Sequence, residues 1–497
     1  MSPHEGAGVT ARGFGWRHAG RKKPALSDVD FRINPGERVL LLGESGAGKS
    51  TLLAAIAGVL GGEDEGDWFG SLKVAGSDAR DVAATRGKVG MLLQDPDAQV
   101  IASRVGDDVA FGCENLGVDR EEIWRRVPEA LALVGLQLPL DHPTAELSGG
   151  QKQRLALAGI IAMGAQIIVL DEPTANLDPI GVQEVRAAIA RITAETGATL
   201  IVVEHRVETW QGITDRAIVL SSSGGLLADG PLAQVLPEQG KHLAAHGIWV
   251  PEEFVAPEQR IELSGRRPVA TESALSAENL STGWARPIGQ PHTLRLPAGN
   301  STVITGPNGS GKSTLALTLA GLLPPLGGTI RAAGQSGLPH TWRSAKLATQ
   351  IGFVFQDPEH QFLSTSVLDE LLVAPRVLAA QSRRRWPWQP APDAADVDKQ
   401  RAMELLERLR LEHLAAANPF TLSGGQKRRL SVATALISSP GIVILDEPTF
   451  GQDRRTFLDV VTLLRELTDT GVSVAAITHD ELFISLLGDH RIEVGVS

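Results

Sequence analysis

The stretch Val39-Leu-Leu-Leu-Gly-Glu-Ser-Gly-Ala-Gly-Lys-Ser-Thr51 passes from four apolar residues into a glycine-rich loop, and Leu52-Leu-Ala-Ala-Ile-Ala57 continues it. It reads as strand, loop and helix, the context a phosphate-binding P-loop requires. Gly43, Gly46 and Gly48 carry no Cβ, so the backbone can curl and aim its N–H groups at phosphate oxygens. The helix start adds partial positive charge. Lys49 is placed to reach β- and γ-phosphates and Ser50 to ligate Mg2+. The expected cradle is Gly43, Glu44, Ser45, Gly46, Ala47, Gly48, Lys49, Ser50 and Thr51.

Working outward, the same loop returns as Gly306, Pro307, Asn308, Gly309, Ser310, Gly311, Lys312, Ser313 and Thr314, again after an apolar run. Gln94-Asp-Pro-Asp-Ala-Gln99 returns as Gln356-Asp-Pro-Glu-His-Gln361. Leu147-Ser-Gly-Gly-Gln151 returns as Leu422-Ser-Gly-Gly-Gln426, and Leu170-Asp-Glu-Pro-Thr174 as Leu445-Asp-Glu-Pro-Thr449. A repeat this long with preserved order means duplicated domains rather than a solenoid. The interval between the second and third motifs is longer in the second copy. This places an insertion around Arg383-Arg-Arg-Trp-Pro-Trp-Gln-Pro-Ala-Pro-Asp393, whose prolines and charges read as an exposed loop. The expected division is a first domain over 1–250, a linker over 251–271 and a second domain over 272–497. About 20 extended residues span roughly 65 Å, enough for the halves to face each other.

The runs Ile167-Ile-Val-Leu170 and Ile442-Val-Ile-Leu445 have the unbroken apolar character of buried parallel strands. Each ends in two carboxylates. Near phosphates, Asp171 and Asp446 are suited to hold Mg2+ directly or through water. Glu172 and Glu447, expected on the opposite face, are suited to polarise an attacking water.

Composition narrows the class. The formal charge is −11, which denies the chain the broad basic field of a non-specific nucleic-acid binder, so no nucleic-acid partner is expected. A single cysteine, Cys113, excludes an intramolecular disulfide, a cysteine-based zinc cluster and a four-cysteine iron–sulfur cluster. Residues 1–23 show no apolar core of a signal peptide. The apolar run 155–170 falls short of the roughly 20 residues of a membrane span and is split by Gly164-Ala-Gln166. It is expected to be a helix followed by a buried strand.

Leu-Ser-Gly-Gly-Gln in company with a P-loop and an Asp-Glu strand resembles the nucleotide-binding domains of ABC ATPases, twice over and across nearly the whole chain. The resemblance implies an α/β fold of two P-loop NTPase domains in tandem. Each would have a RecA-like parallel-sheet core, an antiparallel β subdomain and a helical subdomain. It implies ATP and Mg2+ as cofactors and a head-to-tail pairing of the halves. Each ATP would then lie between one P-loop and the other half's Ser148, Gly149, Gly150 and Gln151, or Ser423, Gly424, Gly425 and Gln426. Gln94 and Gln356 match the Q-loop glutamine that senses Mg2+ and the γ-phosphate. His205 and His479 match the switch histidine, and Asp178 and Asp453 the D-loop aspartate. The chain has no tyrosine. Trp16 and Trp284, upstream of each P-loop, are therefore the candidates for stacking on adenine. Both sites keep every residue the chemistry needs.

Within that family, Gln-Asp-Pro-(Asp/Glu)-x-Gln, Val109-Ala-Phe-Gly-Cys-Glu-Asn-Leu-Gly117, Val203-Glu-His-Arg206 and Glu447-Pro-Thr-Phe-Gly-Gln-Asp453 look like the ATPases of energy-coupling factor (ECF) transporters. Those take up vitamins, vitamin precursors and cobalt or nickel ions. The likeness implies a T-type membrane scaffold protein and a substrate-binding membrane protein as partners, and a place on the cytoplasmic face of the cell membrane. The second half departs from the pattern at Val367-Leu-Asp-Glu-Leu-Leu-Val373. Gln99-Val-Ile101 and Gln361-Phe-Leu363 are expected to form grooves for scaffold helices, with Val100 and Phe362 as the contacts. Two alternatives stand beside this reading. A fused sugar-importer ATPase has about this length, but its second P-loop is usually degenerate. A soluble twin-ABC ATPase of translation or DNA repair would be expected to bring a charged helical arm or cysteine clusters.

Overall fold

A computed structural model of the chain describes residues 7–61, 64–175, 177–257, 260, 267–382, 395–449 and 451–495. The insertion expected at 383–393 lies outside them. Two units emerge, Met1–Arg260 and Ile261–Ser497.

The first unit is built on a six-stranded sheet. Its order is Leu226–Pro231, Arg216–Leu220, Arg38–Gly43, Thr199–Val203, Ile167–Asp171 and Val89–Leu92, and only the first of these runs antiparallel to its neighbour. Side chains of successive strand residues point to opposite faces. Leu40, Leu42, Ile168, Leu170, Leu200 and Val202 therefore enter one core, and Val39, Leu41, Ile167, Val169, Ile201 and Val203 another. A sheet buried on both faces needs apolar residues at every position, so these strands read as unbroken apolar runs. The first core is completed by the helices Val105–Asn115, Arg120–Leu133 and Gly149–Ala162. The second is completed by the antiparallel sheet of Leu26–Ile33, Val9–His18, Gly66–Val74 and Ser77–Asp78. The run 155–170 divides as expected, into the end of the helix Gly149–Ala162 and the strand Ile167–Asp171.

The second unit repeats the plan. Ile351–Val354, Ile442–Asp446, Ser473–Ile477, Ser301–Thr305 and His490–Glu493 form a five-stranded, wholly parallel sheet in the matching order. The antiparallel sheet comprises His292–Pro297, Ser273–Ser281 and Gly327–Ala332, and the helices are Val367–Ser382, Asp396–Arg408 and Gly424–Leu436.

The expected linker begins too early. Residues 252–254 form a 3-10 turn against the helix Leu232–Ala245, and Val255 and Ala256 are buried. The approach is close enough that a Cβ on Gly240 would lie 2.6 Å from the Phe254 side chain. Apolar residues hidden among the prolines and acids of 251–257 carry this packing.

Candidate functional site

Both P-loops sit at the end of a central strand and open a helix, Lys49–Ala57 in one unit and Lys312–Leu319 in the other. The residues capping those helices, Gly48 at φ 87° and Gly311 at φ 90°, are left-handed, a conformation that L side chains adopt only with strain. A Cβ on Gly48 would also lie 2.6 Å from the Ala25 carbonyl oxygen. The lysines are largely buried and curl over their own loops. Lys49 Nζ donates to the carbonyls of Gly43 at 2.8 Å and Glu44 at 3.0 Å, and Lys312 Nζ to those of Gly306 and Pro307, each at 2.8 Å.

The Ser50 hydroxyl lies beside the Asp171 carboxylate, and that of Ser313 beside Asp446. Burial pushes both aspartates above the ordinary carboxylate range, while the serine hydroxyls draw them back. A hydroxyl and a carboxylate at the mouth of a phosphate cradle form a donor set suited to Mg2+, which takes few protein ligands and completes its shell with phosphate and water.

Glu172 and Glu447 leave their strands in the left-handed conformation, both at φ 48°. Their backbone N–H groups still extend the ladder, donating to Val203 and Ile477 at 3.0 Å. Such a conformation costs a non-glycine residue about 1–2 kcal/mol and persists only where its surroundings impose it. Its repetition at both expected water-activating residues ties the strain to the site. Glu172 Oε1 accepts from His205 Nε2 at 3.0 Å and Oε2 from Gln94 Nε2 at 2.8 Å. Three residues expected from separate motifs thus meet in the first half. Burial by itself would raise Glu172, but the His205 charge and hydrogen bond hold it below its ordinary value. Glu447 is pushed up to about 8, first by burial and then by the neighbouring charge of Asp446, and the Thr478 hydroxyl beside it draws it back.

The rest of the Q-loop motif has a structural role that the sequence did not disclose. Gln99 Oε1 accepts from Leu93 N at 3.0 Å and its amide donates to Met91 O at 3.1 Å, folding the loop onto its own strand. Gln361 repeats the first bond with Phe355 N at 3.0 Å. The variable Asp/Glu position pairs with the lysine after Leu-Ser-Gly-Gly-Gln, Asp97 with Lys152 and Glu359 with Lys427. The next turn is held by one acid in each half. Asp108 Oδ1 accepts from Ile101 N and Ala102 N, both at 2.8 Å, and Glu370 Oε2 from Leu363 N and Ser364 N at 2.8 and 2.7 Å. The departure at 367–373 therefore preserves this clamp with a longer acid. Of the two expected groove contacts, Val100 is half-buried and Phe362 is buried against Phe420 (ring centroids 5.9 Å apart), while their neighbours Ile101 and Leu363 are 63 % and 78 % exposed.

Ser148 and Ser423 cap the helices that follow, each in a reciprocal box with Gln151 or Gln426. The N-terminal N–H groups and dipole of each helix are thereby ordered around Gly149-Gly150 and Gly424-Gly425. Asp178 and Asp453 are N-caps as well, accepting from Gly181 N and Thr456 N at 2.8 Å.

The two tryptophans part company. Trp16 is 2 % exposed, meets Trp68 edge-on and donates to His18 Nδ1 at 3.2 Å, so it is a core residue and offers adenine no face. His18 is the exposed ring at the end of that strand, with Nε2 3.4 Å from Thr51 Oγ1 of the P-loop. Trp284 is 72 % exposed. Trp16→Ala is expected to lower stability by about 3–5 kcal/mol, the usual cost of emptying a buried aromatic site. Trp284→Ala is expected to weaken ATP binding and leave the melting temperature unchanged; denaturation and nucleotide titration separate the two.

A family model described as ABC transporter matches residues 26–175 and 290–450. A Bacillus subtilis (strain 168) protein named "Putative HMP/thiamine import ATP-binding protein YkoD" is 34% identical over 490 residues, covering 94% of this chain and 86% of that protein. An ABC transporter ATP-binding protein of Methanosarcina mazei, also named as putative, is 32% identical over 527 residues, with 98% and 87% covered. Among solved structures, a model of ribosome-bound archaeal Pelota and ABCE1 matches with TM-score 0.63 over 96% of this chain and 76% of that one. At 21% identity this shows a shared fold alone. With a family model matched in both halves and relatives above 30% identity along nearly its whole length, the chain belongs to the ABC transporter ATP-binding proteins, a family that hydrolyses ATP.

Proposed function

We propose that the chain energises an ECF-type importer from the cytoplasmic face of the membrane, through a separate T-type scaffold and a substrate-binding membrane protein. The observation that carries this reading is the pair of clamped loops after the Q-loop glutamines. Each holds its backbone rigid through Asp108 or Glu370 while presenting one aliphatic side chain, Ile101 or Leu363, to solvent. An exposed apolar tip on an ordered loop is favourable when a partner covers it. The chain supplies no span of its own among the described residues, where no helix is long and apolar enough to cross a membrane. Mg2+ would sit with Ser50, Asp171 and Gln94 in one site and Ser313, Asp446 and Gln356 in the other. ATP would close the halves head to tail, and Glu172 and Glu447 would then activate water. The printed name of the Bacillus relative favours a vitamin or vitamin precursor as cargo over a sugar.

The test is a tagged pull-down from gently solubilised membranes of the source cell. Recovery of a polytopic scaffold with a small-molecule-binding membrane protein supports the importer, and the bound ligand names the cargo. Recovery of ribosomes without membrane proteins supports the soluble class instead. Ile101→Asp with Leu363→Asp is expected to weaken membrane attachment more than tenfold, since each lost apolar contact is worth about 1.5–3 kcal/mol. ATP binding should persist, and attachment at the wild-type level would sink the docking assignment.

A further inference from the structure

The helix that begins at each Leu-Ser-Gly-Gly-Gln motif differs between the halves at one buried position. In the first half it is Gln153, fully buried, whose Oε1 and Nε2 have no hydrogen-bond partner among the described residues. At the matching place beyond Ser423 stands Arg428, also buried. Its Nη1 donates to the Phe355 carbonyl at 2.7 Å and its Nη2 to that of Gln356, so one guanidinium grips two successive carbonyls of the Q-loop. Burial weakens its hold on the proton, and the charges of Glu447, Asp446 and Asp357 oppose that.

A second position differs in the complementary sense. Buried Glu204 precedes His205 and accepts from the Thr174 hydroxyl and from His205 N. Thr478 precedes His479 and its hydroxyl lies beside Glu447. The first half thus gathers the carboxylates Asp171, Glu172 and Glu204, and the second gathers Asp446 and Glu447 within the field of the Arg428 guanidinium.

We propose that Arg428 is a positioning residue that latches the second Q-loop to its helix, and that the two ATP sites consequently turn over at unequal rates, the first half's faster. In the first half the Gln94 side chain already meets Glu172, which also meets His205. In the second, the loop is fastened by its backbone, and the neighbour of Glu447 is the Thr478 hydroxyl. Two hydrogen bonds from a charged donor hold a loop more firmly than a neutral amide can. The inference rests on Glu172 and Glu447 being the water-activating groups.

The experiment is rapid-quench single-turnover hydrolysis by the full chain saturated with Mg·ATP. The wild type is expected to show two phases of equal amplitude, differing about fivefold or more in rate. Glu172→Gln should remove the faster and Glu447→Gln the slower. Arg428→Gln should speed the slower phase without changing ATP affinity, and Arg428→Lys, with one donor direction left, should fall between. Gln153→Arg installs the latch in the first half and should slow the faster phase, a result that stands even if Arg428→Gln fails to fold. A single phase in the wild type overturns the proposal, as do unchanged rates in Arg428→Gln or Gln153→Arg. Two phases that survive both glutamine variants instead overturn the carboxylate assignment beneath it.

Discussion

Replacing Glu172 and Glu447 together by glutamine is expected to lower steady-state ATP turnover by about 10²–10⁴-fold, the usual contribution of a general base. Glutamine keeps the size and hydrogen-bonding reach of glutamate but cannot take a proton. The geometry explains why so little else should change. In the first half, Glu172 stands between Gln94 Nε2 and His205 Nε2, and a side-chain amide in its place can still accept from one of them. Neither glutamate bonds the P-loop lysine's carbonyl partners, and the serine–aspartate pairs that suit Mg2+ involve Asp171 and Asp446 instead. ATP binding should therefore persist. The check is a coupled ATPase assay beside a nucleotide titration; turnover within a few-fold of wild type would remove both glutamates from the chemistry.

What the sequence discloses here is what depends on contiguous residues. P-loop curvature, the reciprocal Ser–Gln caps and the acid pair at the end of an apolar strand each need only a few neighbours, so their motifs carry them. What it hides depends on parity and reach. Val9 and Ala11 face inward on their strand, and simple alternation would turn Trp16 outward. The register instead slips around Gly13, which is left-handed at φ 52°, and the bulge brings Phe14 and Trp16 inward together. Phe362, expected as a scaffold contact, turns inward for a related reason, because the loop is set by a carboxylate several residues downstream. The Asp108 and Glu370 clamps escape notice because two acids of different length perform one task. Strained φ at Glu172 and Glu447 has no residue-type signal at all, since glutamate is not a residue that prefers that region.

A second large effect is expected far from ATP. Asp489→Ala should destabilise the second unit by about 3–5 kcal/mol, because it leaves a buried guanidinium without its partner. Asp489 immediately precedes the edge strand of the second parallel sheet. Its fully buried carboxylate accepts from Arg465 Nη1 at 3.1 and 3.2 Å, from Ser301 N at 3.2 Å and from Arg267 N at 3.0 Å. One side chain thus joins the helix Arg454–Asp469, the P-loop strand and the start of the unit. The matching residue in the first half, Asp215, pairs with Arg38 at 2.7 Å, but the two side chains are 65% and 36% exposed. A solvated pair of that kind contributes about 0–1 kcal/mol, so Asp215→Ala should be nearly silent. The difference traces to where the cation sits. Arg38 lies on the strand itself, whereas the second half has Ser301 there and draws its guanidinium from the helix, at the place where the first half has Ala190. For a unit of this size, 3–5 kcal/mol corresponds to roughly 6–20 °C in the unfolding midpoint. Calorimetry of the two variants separates the cases, and equal shifts would show that burial does not govern the strength of these pairs. The ATP sites share their motifs because both must perform the same chemistry; the ion pairs diverge because each unit needs only some way of securing the strand beside its P-loop strand.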